Sequence, residues 1–384
     1  MYHSDIKTGI YVFYNKALGG YLSYSGQVLT IGSTPTRWKL SRIGKRFLIH
    51  PEGSFSLIDI DNAYVAEGTA VKVWQYTGHD AQVWEICENA NRTVSFLSAM
   101  NTGYCLGFKN RKAELQRRKV GSYLQEWTAA SMCDEAFISI YSKAKTVELQ
   151  MPLNITDVIS TPRLQQWAND LEKAYGTYSE LTSYKPHESI TVEAYSSYAH
   201  LGYAGFVLCN SNVIHIDNDF LRSDLAKMAK RENDWNFCVL HEMGHLFDNG
   251  MPWDFEAEMM TDLKLAYVLE ANAASAAPAE FGVESIFRGK EIINAYERLK
   301  RDFSREYDVF GCVHRFLKIK EDIGWAPFKK TFYELKRDCA LYSRASRREK
   351  FINFTALLSK HGGRDVSVYF SHDEWYSVLN KSDN

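Results

Sequence analysis

No stretch of this 384-residue chain is apolar enough, or long enough, to cross a membrane. Nor does charge of one sign dominate. There are 45 Lys and Arg against 47 Asp and Glu, a net charge of −2 at pH 7. Such a balance implies neither a nucleic-acid partner nor an anionic membrane. A local basic cluster, Lys109, Arg111, Lys112, Arg117, Arg118 and Lys119, reads as a solvated face, with an anionic glycan as the less favoured partner. The seven cysteines are odd in number, scattered and without a C-x-x-C pair. That argues against a disulfide framework and fits a reduced history or anaerobic surroundings. Met1-Tyr2-His3-Ser4-Asp5 lacks a basic start and an apolar core, so no signal peptide is expected. Low-complexity segments are absent.

What is present is most informative at Trp235–Asp248, where His241-Glu242-Met243-Gly244-His245 follows apolar residues suited to a buried helix. Residues four apart lie on one helix face. His241 and His245 can therefore grip one metal ion, and Glu242, one residue along, is placed as a general base for the attacking water. Two imidazole ligands and a carboxylate base form the zinc-protease pattern H-E-x-x-H.

A catalytic zinc needs a third protein ligand. Gly250 and Pro252 are expected to end the first helix, and a second is expected to start near Asp254. Its acidic candidates are Glu256, Glu258 and Asp262. Glu258 and Asp262 are one turn apart and share a face, whereas Glu256 is rotated away and expected to be solvated. Glu258 is the expected ligand. Asp262 is then placed to accept a hydrogen bond from a ligand histidine, with a solvated helix acid as the competing reading.

His-Glu-Met-Gly-His, a Trp, then Glu258-x-x-x-Asp262-x-x-x-x-Tyr267 resembles the enhancin-like, mucin-degrading metallopeptidases, the gluzincin family numbered sixty. The Gly before the second His and the Tyr nine residues after the ligand Glu match that family. His200-Leu201-Gly202-Tyr203-Ala204-Gly205 is similar to its Gly-Tyr-Pro segment, with Ala204 in place of Pro. Ile323-Gly324-Trp325 and the closing segment around Phe354–Ser359 and Val366–Trp375 add weaker, ordered matches. Asp248 departs from the Gln common there. The resemblance covers about residues 138–384. It implies a Zn2+ endopeptidase with Glu242 as base, an O-glycosylated, mucin-like substrate, and action outside the cell or after release. Tyr203 is the guess for the oxyanion donor, with a core Tyr as the competing reading.

The N-terminal part has short alternating runs between turn residues, which suggest many short strands. It also repeats. Trp38, Trp84 and Trp127 stand in three Gln-x-Trp-like motifs, 46 and then 43 positions apart. Three copies suggest a pseudo-threefold β-trefoil, with each Trp in a shared core. This part, about residues 1–131, resembles the ricin-type lectin domain. A sugar site needs a polar group for hydroxyls and an aromatic plate for the C–H face of the ring. Only the second repeat supplies both, in Asp59, Trp74 and Gln82. The third has Gly107 where the Asp is expected, and Ala81 replaces the usual Asn beside the second motif. At most one glycan pocket is therefore expected, and a spacer or protein-docking trefoil remains open.

The length suits two cores. The expected organisation is a multidomain chain: an all-β trefoil at 1–131, a linker at 132–137, and an α+β, mostly helical metallopeptidase domain at 138–384. Thr161 is expected to cap a helix from Pro162 to Tyr175, with Leu164, Trp167 and Leu171 on one face. Val213–Ile216 reads as a strand just before the catalytic helix, and Val366–Phe370 as strand-like. The Ala-rich stretch 271–279 reads as a helix end and loop. A monomer is expected. Two other readings stay open: a toxin whose protease cuts a non-glycosylated protein, and a carbohydrate-binding protein with a secondary metal domain.

Overall fold

The computed structural model describes residues 6, 9–43, 46–54, 56–132, 137–195, 204–207, 211–231, 233–277, 287–301 and 306–381. The chain divides between Ala136 and Phe137 into two compact units, the second containing Phe137–Tyr195 and Ala204–Asn384.

Among its described residues the first unit has twelve strands in three groups of four. They are β1 Gly9–Asn15, β2 Gly20–Ser25, β3 Val28–Gly32 and β4 Trp38–Ile43, then β5 Arg46–Pro51, β6 Ser56–Ile60, β7 Val71–Gln75 and β8 Val83–Glu88. The third group is β9 Val94–Ser98, β10 Tyr104–Lys109, β11 Lys112–Arg117 and β12 Thr128–Ser131. In each group the first and last strands meet: β1 with β4, β5 with β8, and β9 with β12 through the Val94–Trp127 bridge. Neighbouring groups join through β4–β5, β8–β9 and β12–β1, so six strands close a barrel without a free edge. The middle strands form the hairpins β2–β3, β6–β7 and β10–β11. This is a β-trefoil.

Its core explains the Trp period. Trp38, Trp84 and Trp127 are fully buried among Phe13, Leu22, Ile58, Phe96 and Leu106. Trp38 Nε1 donates to the Leu22 carbonyl and Trp84 Nε1 to the Ile58 carbonyl, both at 2.9 Å. Trp127 is equally buried, but its Nε1 has no hydrogen-bond partner among the described residues. Truncating any of the three to Ala would cost roughly 3–5 kcal/mol.

The second unit is a mixed, largely helical α/β structure. A five-stranded sheet contains β13 Phe137–Tyr141, β14 Val147–Pro152, β15 Ile190–Tyr195, β16 Gly205–Val207 and β17 Val213–Asp217, in the order β13-β14-β15-β17-β16. β14, β15 and β17 run parallel, and β16 lies antiparallel to β17 at the edge. Helix α1, Thr161–Thr182, crosses between β14 and β15. It is capped by Ser160 rather than Thr161, since the Ser160 hydroxyl accepts from Arg163 N–H. It also runs past Tyr175, because Tyr178 and Leu181 continue the face of Leu164, Trp167 and Leu171 into the core.

β17 leads into α2, Asn218–Met228, so an extra helix intervenes before α3, Phe237–His245. Helix α4, Ala257–Ala271, is buried from Met259 to Leu269 on every side. A helix buried all round is a central one. After it come β18 Ser275–Ala276, β19 Phe287–Arg288 and helices α5 Ile292–Leu299, α6 Val309–Ile323, α7 Trp325–Arg337, α8 Cys339–Tyr342, α9 Arg347–Gly362 and α10 His372–Lys381. The expected strand near Val366–Phe370 is a single 3-10 turn, Ser367–Tyr369, with Val366 and Phe370 packed into the helical core. No helix among the described residues is long and apolar enough to cross a membrane.

Candidate functional site

Helix α3 starts at a fixed point. Asn236 takes φ +69°, and its side-chain oxygen accepts from Val239 N–H at 2.9 Å. Asn is among the few side chains that tolerate such a φ. The Asn236 N–H in turn donates to buried Asp234 at 3.0 Å. The helix thus begins one turn before His241 and ends at His245. That is earlier than Gly250 and Pro252 suggested; Gly250, at φ +68°, instead lies in the turns that lead back to α4.

The return brings α4 against α3. At Gly244 the two helices touch: an added Cβ would stand 2.8 Å from Thr261 Cγ2. The absence of a side chain there lets the first turns of α4 reach both histidines. His241 Nε2 and His245 Nε2 lie 3.2 Å apart. Glu258 Oε2 is 2.9 Å from His241 Nε2, and its Oε1 is 3.6 Å from His245 Nε2. One donor atom from each of the three residues falls within 4.8 Å of the others. The Glu258 side chain is 55% exposed, so the cluster is open to solvent on that side.

The far side of each ring is held. His241 Nδ1 is 2.8 Å from Asp262 Oδ1, and His245 Nδ1 is 3.1 Å from Thr261 Oγ1. Two imidazole nitrogens and one carboxylate suit Zn2+. The ring orientations fit that use, because both Nδ1 atoms are engaged and both Nε2 atoms face Glu258. Electrostatics follow from the same contacts. Burial opposes charge on His241, but its bonds to Asp262 and Glu258 outweigh burial and hold its pKa well above the ordinary value. Burial, and then the neighbouring His241 charge, push His245 down to about 3. The hydrogen bond from His241 lowers Glu258.

Glu242 is buried on α3 beside these ligand candidates. Its Cγ lies under edge strand β16, where a Cβ on Gly205 would come within 2.9 Å. Among the described residues no strand covers the outer edge of β16. Tyr203 lies outside the described residues. Glu256 does not dangle in solvent: it caps α4, accepting from Met259 N–H at 2.7 Å. Tyr267 donates to Glu180 at 3.2 Å and stacks edge-on against Trp325. Three residues went unassigned in the sequence: Thr261, Asp248 and Lys264. Their only sequence trace is spacing, since Asp248 follows His245 by three and Lys264 follows Thr261 by three.

In the trefoil, Asp59, Trp74 and Gln82 all belong to the second repeat. Asp59 is buried on β6 opposite Lys72 of β7, and burial raises its pKa. Gln82 is an internal brace. It accepts from Thr77 N–H at 2.8 Å and donates to the Gln75 carbonyl at 2.8 Å. The Lys72 ammonium stands 4.3 Å from the centre of the Trp74 ring, over the plate expected to stack on a sugar. In the third repeat, Gly107 leaves room for Gln116, whose Oε1 would be 2.2 Å from an added Cβ. A cavity of about 850 Å³ opens there, lined among others by Lys109, Arg117, Arg118, Lys119, Gln116 and Gln125. Four residues of the basic cluster thus line a concavity.

No protein-family model matches this chain, and no curated protein matches it. Among solved structures, the designed threefold-symmetric protein ThreeFoil is 18% identical, covering 32% of this chain and 99% of that one, with a TM-score of 0.28. A salivary protein from Culex quiquefasciatus is 18% identical over 33% of this chain and 96% of its own, with a TM-score of 0.30. A lectin from Polyporus squamosus is 15% identical over 47% of this chain and 69% of its own, with a TM-score of 0.27. At these values no ligand or activity passes from them to this chain.

Proposed function

We propose that the protein is a zinc-dependent endopeptidase of O-glycosylated, mucin-like proteins, acting outside the cell or after release. The observation that carries this reading is the convergence of His241 Nε2, His245 Nε2 and the Glu258 carboxylate beside Glu242. His241, His245 and Glu258 would hold the metal. When bound, Zn2+ would supply a Lewis acid for the scissile carbonyl and acidify water. Glu242 accepts a proton from the attacking water and delivers it to the leaving amine. Strand β16 lies over Glu242, and among the described residues no strand pairs with its outer side; an extended peptide would add there by strand addition. Tyr203 is the proposed oxyanion donor. The trefoil binds glycan and holds the enzyme on multivalent substrate.

The test is mass spectrometry of products from an O-glycopeptide and its deglycosylated twin, with the native chain and Glu242→Gln. Cleavage of the glycopeptide alone, lost in the variant, is the expected result. Equal cleavage of both peptides would favour the toxin-protease reading. The cavity of about 850 Å³ in the trefoil favours a second reading, a carbohydrate-binding protein with a secondary metal domain. That reading requires glycan binding without products.

A further inference from the structure

We propose that Thr261, Asp248 and Lys264 act as one positioning unit that fixes which nitrogen of His245 carries the proton, and so presents the Nε2 lone pair to the metal. The proposal rests on the metal-site reading above.

The three residues are almost fully buried: Thr261 and Lys264 at 0% exposure, Asp248 at 2%. The Lys264 ammonium binds Asp248 Oδ1. The other carboxylate oxygen, Oδ2, accepts from Thr261 Oγ1 at 3.0 Å. Thr261 Oγ1 also lies 3.1 Å from His245 Nδ1.

Proton counting then decides the direction of the last bond. A hydroxyl has one hydrogen, an ammonium has only donors, and an ionised carboxylate has only acceptors. Asp248 takes the single Thr261 hydrogen. The Thr261 oxygen can then only accept, so Nδ1 of His245 must carry a hydrogen. In a neutral ring the lone pair is left on Nε2, the atom facing Glu258 and His241. At His241 no hydroxyl intervenes, because Asp262 Oδ1 meets Nδ1 directly at 2.8 Å.

The arrangement is costly unless it is used. Burying an ion pair costs several kcal/mol per ion before its attraction is counted, and an apolar pair of similar volume often serves stability as well. Here the pair aims one acceptor at one histidine. Gly244 makes the aim feasible, since any side chain there would push Thr261 away. Asp248 is the position where the resemblance predicted Gln, and it makes sense only together with Lys264.

The test uses the full chain and Zn2+ alone, with affinity read by competition against a chromogenic chelator. Thr261→Val keeps the shape and removes the hydroxyl; Thr261→Ser restores it. Thr261→Val should weaken zinc roughly 10–100-fold, the usual cost of losing such a partner. Thr261→Ser should stay within a few-fold of the native chain. A second measurement needs no variant: long-range 1H–15N spectra of the zinc-free native protein should show His245 as the Nδ1–H form. An Nε2–H form would overturn the proposal, as would native zinc affinity and an unchanged His245 signature in Thr261→Val. If the native chain binds no zinc, the metal-site reading fails, while the spectra still judge the role of Thr261.

Discussion

Gly205 lies against Glu242: a methyl group at Gly205 would stand 2.9 Å from Glu242 Cγ and 2.7 Å from Ile216 Cδ1. The edge strand and the proposed base are in van der Waals contact through the one residue without a side chain. Gly205→Ala should therefore displace Glu242 or lift β16, while His241, His245 and Glu258 stay in place. Misplacing a catalytic group by about 1 Å can cost on the order of 100-fold in rate. The expected result is a large fall in kcat/KM with zinc content unchanged. Zinc loss in this variant would show that β16 supports the ligands rather than the base.

Glu242→Gln should retain zinc and native unfolding temperature and lose peptide hydrolysis. Removing a general base costs roughly 10²–10⁴-fold. Comparable turnover in the Gln variant would remove Glu242 from the mechanism.

Glu258 and Glu256 separate by opposite signatures. Glu258→Ala should abolish stoichiometric zinc, measured by elemental analysis. Glu256→Ala should keep zinc but lose the α4 cap, at about 1 kcal/mol of stability. The reverse pattern would make Glu256 the ligand.

These acidic residues also show what the sequence revealed. Helical spacing alone put His241 with His245 and Glu258 with Asp262, because both pairs lie four apart. The Trp period revealed the threefold core, because each Trp must be buried by neighbouring repeats. Thr261 left no such mark, since a helical Thr reads as a neutral filler. Asp248 and Lys264 are sixteen residues apart and meet only because Gly244 lets two helices touch. Ser160 was missed as a cap since Thr161, beside it, has the same chemistry. Val366 and Val368 look strand-like, yet among the described residues no strand pairs with them; they stand at a 3-10 turn between α9 and α10.

Acid should weaken the trefoil through His50. Burial, and then the Lys39 charge, push its pKa from 6.5 to about 3. The unfolded chain thus binds one more proton than the folded chain between those values. Stability is full above about pH 6.5 and falls as pH drops towards 3, by at most about 1.4 kcal/mol per pH unit. Urea unfolding of native and His50→Gln chains at pH 7 and pH 5 checks the sign. The variant should lose less stability on acidification than the native chain. An equal loss would mean that other groups carry the acid response.

The last prediction concerns what the trefoil adds. A tethered binding module raises local concentration on a multivalent surface without changing the chemistry of the cut. Substitutions in the trefoil should therefore leave short O-glycopeptides cut at the native rate and slow the cutting of intact mucin. Two sets of residues compete for that role. Asp59 and Trp74 offer an acceptor and a plate, but Asp59 is buried and Lys72 stands over the Trp74 ring. The cavity beside the third repeat offers Arg117, Arg118 and Lys119 instead, with Glu67 and Glu114 also in its lining. Asp59→Ala with Trp74→Ala should slow mucin cutting whether or not its sugars are charged. Arg117→Glu with Lys119→Glu should slow it only on sialylated or sulfated mucin, and added salt should imitate that loss, because exposed charges are screened. The measurement is product formation on a glycopeptide, on native mucin and on desialylated, desulfated mucin. If both double variants cut every mucin at the native rate, the trefoil is a spacer or a docking surface for another protein. Glycan dependence would then reside in the second unit alone, where the outer side of β16 beside Glu242 is the place to look for it.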